Sequence, residues 1–115
     1  MKNTIKAPLG ESFNLADYIN YSDDSVVSKT LIDKGIGNIT LFSFDVGQGL
    51  SEHTSPFDAV VHVLDGEAEI IIGGQTHIVK SGEMIIMPSN ISHTLNARKR
   101  FKMNLIMIRV KNEDI

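Results

Sequence analysis

The sequence predicts an all-β fold, an antiparallel barrel or two-sheet sandwich with little helix. Three observations predict it. From Val26 onward, short β-branched runs alternate with Gly, Asp, Asn and Ser punctuation, the texture of closely spaced strands. Asp65-Gly66 and Gly73-Gly74 have the composition of tight hairpins, because a type I′ turn needs positive φ at both central residues. A length of 115 residues suits one small domain with a single closed core.

Residues 1–25 are polar and mixed and form an N-terminal segment, with Ser12–Ile19 read as one helical turn or an edge strand that contributes to dimer formation. The barrel domain is expected over residues 26–115. Its strands are expected near Val26–Ile32, Asn38–Val46, Ala59–Leu64, Glu67–Ile72, Thr76–Lys80, Met84–Met87, His93–Ala97 and Phe101–Val110. A two-residue loop at Asp65-Gly66 pairs Leu64 with Glu67, Val63 with Ala68, Val61 with Ile70 and Ala59 with Ile72. Since side chains alternate between faces, Ala59, Val61, Val63, Ala68, Ile70 and Ile72 form one apolar inner face. A second hairpin at Gly73-Gly74 adds Val79 and His77 to it, His77 opposite Ile70. The same counting puts His62 outside, opposite Glu69. Val60 and Leu64 also point outward, and uncovered apolar side chains there predict a homodimer.

Composition narrows the function. The chain is 42% hydrophobic and 22% charged, as in an ordinary globular protein. Its net charge of −3, with Arg98-Lys99-Arg100 as the one basic cluster, argues against nucleic acid as a partner. With no cysteines there are no disulfides or thiolate metal sites, and a cytoplasmic location is the simpler expectation. The apolar runs are too short to span a bilayer and the N-terminus lacks a signal-peptide core, so no membrane association is expected. Gly73-Gly74 and Gly47-Gln48-Gly49 do not open helices, so they give no support to phosphate cradling.

Two stretches carry more specific information. One runs from Gly47 through His53, Ser55 and Ala59 to Gly66; the other from Gly82 through Pro88 and Asn90 to His93. Their spacing resembles the two conserved motifs of the cupin superfamily, G-x5-H-x-H-x3–4-E-x6-G and G-x5-P-x-G-x2-H-x3-N. The resemblance covers residues 47–97 and implies a small single-domain cupin of the RmlC-like kind, a jelly-roll-like barrel also described as a double-stranded β-helix. It further implies homodimers, because many members pair through their sheets or exchange N-terminal strands.

The departures bear on function. Metal-binding cupins usually use both histidines and the glutamate of the first motif plus the histidine of the second. Here the first and last are present as His53 and His93, but Ser55 stands at the second histidine and Ala59 at the glutamate. Asn90 replaces the glycine, which an asparagine tolerant of the left-handed region allows, and Ala97 replaces the asparagine. Two imidazoles alone hold a divalent metal weakly, since catalytic zinc normally has three protein ligands. Gln48, Glu52, Asp58 and His77 are the candidates for a third, Asp58 only if a bulge at Pro56 turns it inward.

The expected site is therefore the barrel mouth, with His53, Ser55, His93 and His77 as ligand-binding residues. His53 and His93 are also the metal ligands if one divalent ion (Fe, Mn, Ni or Zn) is bound; the alternative is no metal, with the two imidazoles bonded to each other, water or a ligand. Phe42 and Phe44 share a parity, as do Met103, Leu105 and Met107, which suits either pocket lining or core filling. The expected function is binding of a small molecule. The alternative is a metal-dependent cupin enzyme of the dioxygenase, isomerase or decarboxylase kinds.

Overall fold

A computed structural model describes residues 3–110; Met1, Lys2 and residues 111–115 lie outside the described residues. Nine strands follow in chain order: β1 (Asn3–Ile5), β2 (Val26–Lys34), β3 (Gly37–Phe44), β4 (Gly49–His53), β5 (Phe57–Ile72), β6 (Gln75–Lys80), β7 (Met84–Met87), β8 (His93–Asn96) and β9 (Phe101–Arg109). A single 3-10 turn, Ala16–Tyr18, is the only helical element among the described residues. Every ladder is antiparallel. One sheet runs β1-β2-β3-β9-β5-β7 and the other β6-β5-β8-β4. The fold is all-β and antiparallel, as the sequence predicts.

Strand β5 belongs to both sheets, and it corrects one expectation. Sixteen extended residues would run about 53 Å at roughly 3.3 Å each, longer than the molecule's largest extent of 44 Å. The strand bends at Leu64-Asp65-Gly66, where Val63 pairs with Met103 but Asp65 with Lys102, so that one residue bulges. Asp65-Gly66 is therefore not a hairpin. Only Gly66 has positive φ (+74°), whereas a type I′ turn needs it at both residues. Val63 pairs with Met103 and Ala68 with Val79, not with each other.

The inner face nevertheless comes out as expected, for a physical reason. A two-residue hairpin and a one-residue bulge both invert the odd–even phase of the chain. Ala59, Val61 and Val63 before the bulge are buried, as are Ala68 and Ile70 after it. These residues, with Phe44, Leu95, Ala97, Phe101 and Met103, form the core between the sheets. Phe44 and Phe101 stack there with ring centroids 4.3 Å apart. The second hairpin is present as expected: Gly73 and Gly74 both have positive φ, and Ile72 pairs with Gln75.

The N-terminal segment covers the chain's own barrel. Phe13, Leu15, Tyr18 and buried Ile19 pack with Leu31, Ile39, Leu41 and Leu64 on the outer face of the first sheet. Leu64, expected to need a second copy, is thus covered from within. Polar contacts hold the segment in place. The Tyr21 hydroxyl donates to Asp65 Oδ2 (2.6 Å), Ser43 Oγ to the Asn20 carbonyl (2.8 Å) and Lys102 Nζ to the Ala16 carbonyl (2.6 Å). Asp45 receives Arg100 Nε at 2.7 Å and the Asp24 amide at 2.7 Å. The Arg100 hydrogen bond, helped by the Asp24 and Val46 amides, lowers the Asp45 carboxyl to about 2.

Candidate functional site

His53 ends β4 and His93 begins β8, and the two residues are paired across the β4–β8 ladder. Their rings meet edge to face, with centroids 4.3 Å apart and Nε2 atoms 3.0 Å apart. His53 is exposed at the rim, whereas His93 is buried at 5% exposure, so the pair spans the mouth from solvent to interior. Each Nδ1 is committed to a backbone carbonyl: His53 to Ser51 at 2.7 Å and His93 to Ile91 at 3.2 Å. A carbonyl only accepts, so each Nδ1 carries the hydrogen, and in the neutral rings both Nε2 atoms present lone pairs. Burial lowers the His93 pKa most, and the neighbouring His53 charge lowers it further against the Ile91 hydrogen bond. Two opposed lone pairs call for an electron-poor partner: a proton, a hydrogen-bond donor or a metal ion.

The pair opens on a cavity of about 50 Å³ lined also by Leu50, Ser55, Ala59, Met87, Leu95, Met103, Leu105 and Met107. Asn90, in the turn before His93, has φ +62°, the left-handed conformation expected of it, and its amide donates to the Ser55 carbonyl at 2.8 Å. Ser55 Oγ accepts the Phe57 amide at 3.1 Å, leaving its hydroxyl hydrogen for a ligand. His53, Ser55 and His93 are therefore brought together, and Met103, Leu105 and Met107 line the pocket with them.

His77 is not among the residues lining that cavity. It has the expected inward parity opposite Ile70, but β6 is the far edge of its sheet, and His77 lines a separate hollow with Val79, Glu83 and Ile85. His62 is also off the cavity, with Asn104 and Met84 as cross-strand partners in place of Glu69. Glu69 bonds to Asn96 and Arg98. The other candidate third donors are elsewhere. Asp58 is exposed and its Oδ1 accepts the Ser89 amide at 2.9 Å, Glu52 is exposed, and Gln48 lines a different hollow. Among the described residues no group of three or more His, Asp or Glu side chains is placed to hold a metal. The 3.0 Å separation would subtend roughly 90–100° at a metal with bonds of about 2.0–2.1 Å, but the donors present do not complete a divalent shell.

Comparison with known proteins gives a consistent picture. The cupin domain family model matches residues 40–109. A conserved protein of unknown function from Streptococcus pyogenes is 34% identical over 97% of this chain and 98% of its own, with a TM-score of 0.89. A cupin 2 conserved barrel domain protein from Leptotrichia buccalis is 42% identical over 84% of this chain, with a TM-score of 0.83; the match spans 47% of that protein. A cupin superfamily protein from Desulfitobacterium hafniense is 26% identical over 96% of this chain and 100% of its own, with a TM-score of 0.86. No curated protein matches the chain. No helix among the described residues is long and apolar enough to cross a membrane.

Proposed function

The chain belongs to the cupin domain family, and from that premise we propose that it binds a small ligand through the His53–His93 imidazole pair at the mouth of its barrel. One observation supports this above the others. The two Nε2 atoms, each the free ring nitrogen of a histidine whose Nδ1 is bonded to a carbonyl, lie 3.0 Å apart on the wall of an otherwise mainly apolar cavity. A ligand that satisfies them presents one donor or cationic centre to the pair, while Leu50, Leu95 and Leu105 take apolar surface. Ser55 adds one hydroxyl. Metal-dependent catalysis gains no support here, since none of the four proposed third donors lines the cavity.

The test uses methanol and ethanol, small enough for the cavity, as hydroxyl-donor probes in an amide NMR titration. Shifts are expected at Leu50, Ser55 and Leu95 and are expected to vanish in H53A/H93A. Hydroxyl donors need the neutral His93 ring, whose pKa burial holds below the ordinary histidine value, so binding is expected to be full above that lowered pKa and to weaken as pH falls through it. Shifts confined to other surfaces, or unchanged in the double variant, would sink the reading.

We also propose a homodimer formed through the outer face of the first sheet. Ile86, Val60 and Ile106 are aligned in successive ladders beyond the part of that face that the N-terminal segment covers, and Ile86 and Ile108 are more than half exposed. Light scattering is expected to give twice the 12.7 kDa chain mass; a monomer mass at high concentration contradicts it.

A further inference from the structure

We propose that the cavity binds a soft monovalent metal ion, copper(I) being the biological example, through the His53 and His93 imidazoles and the Met87 and Met107 thioethers. The proposal rests on the preceding reading of the imidazole pair and names the class of ligand. It comes from the walls opposite the histidines. Ala59 is 2% exposed and lines the cavity. In the ladders on its two sides it is paired with Met87 of β7 and Met107 of β9. Directly opposed residues have Cβ atoms about 4.5–5.5 Å apart, so thioether side chains flank Ala59 on both sides.

Met103, fully buried, lines the same cavity. Three of the chain's five methionines thus surround the space before the two imidazoles. Methionine often only fills gaps in a core, so the donor inventory has to decide. Carboxylate, carbonyl and water ligands suit hard cations, whereas thioethers select copper(I). Here Glu52 and Asp58 are outside the cavity, and its non-imidazole donors are thioethers plus the Ser55 hydroxyl. That set is poor for Mn, Fe or Zn and suited to a soft ion. His53 at the exposed rim provides the entry, and buried His93 with the methionines provides the interior ligands.

The experiment titrates the full chain anaerobically with copper(I) against a chromophoric copper(I) chelator, with zinc(II) in parallel. One equivalent of copper(I) is expected, held at least tenfold more weakly by M87L/M107L, while zinc(II) affinity changes less than twofold. Leucine nearly conserves methionine volume, so the variant is expected to fold. In the wild-type chain, silver(I) is expected to shift the Met87 and Met107 methyl resonances and leave Met84, exposed on the outer face, unmoved. Equal copper(I) affinity in M87L/M107L, or unmoved Met87 and Met107 methyls, overturns the thioether proposal and leaves the imidazole reading standing. Absence of copper(I) binding in the wild type overturns it as well. Copper(I) held normally by H53A/H93A would instead overturn the imidazole reading.

Discussion

Gly66→Ala is expected to destabilise the protein by at least about 4 kcal/mol, a loss at the extreme of single substitutions and a large part of the roughly 5–15 kcal/mol that holds a domain folded. Two independent terms produce it. Gly66 has φ +74°, where a side chain costs about 1–2 kcal/mol. A Cβ there would also fall inside contact distance of the Arg100 carbonyl oxygen, and would lie 2.9 Å from its carbon and 3.0 Å from Phe101 Cα. Those atoms are backbone, so relief requires β9 to move away from β5, beside Phe101 in the core. Gly74→Ala is the control. Its φ is +84° but nothing lies within 4 Å of the added carbon, so it should lose only the conformational term. Urea unfolding of both variants separates the two. Similar losses in both would mean that β5 does not press against Arg100 at this corner.

The same corner shows what could be read from the sequence. Asp65-Gly66 marks a real break in β5, but composition does not distinguish a turn that reverses the chain from a bulge that bends it. Because both devices shift the alternation by one residue, the buried set was readable while the pairing partners were not. His62 illustrates this: its outward parity follows from counting, whereas its neighbour is Asn104 and not Glu69. Strand β4 escaped the pattern because four of its five residues are exposed, leaving no apolar alternation to detect. Nothing local joins His53 to His93, forty residues apart; the cupin-like spacing brought them into view, and barrel closure places them 3.0 Å apart. The shared parity of Met103 and Met107 was visible along β9. Met87 was not, because its relation to Ala59 exists only across the β5–β7 ladder.

Ala59→Glu is expected to convert the cavity into a site for a divalent ion such as zinc(II). The side chain starts from a buried position on the cavity wall opposite His53 and His93, so a carboxylate there would complete a two-histidine, one-carboxylate set. Without metal, the larger group overfills a cavity of about 50 Å³, and its carboxyl is poorly solvated. Together these are expected to cost about 2–4 kcal/mol at neutral pH. Zinc(II) at a hundred times its dissociation constant would restore about 2.7 kcal/mol, while the wild-type chain should gain much less. The restoration needs a neutral His93 and an ionised carboxylate, so it should fade as pH drops through the lowered His93 pKa. Asp58→Glu supplies the control, since that side chain is exposed and Asp58 bonds the Ser89 amide. Thermal unfolding with and without zinc(II) reads the difference directly. If Ala59→Glu gains no more from zinc(II) than Asp58→Glu does, position 59 does not face the imidazole pair, and the thioethers flanking it do not face the pair either.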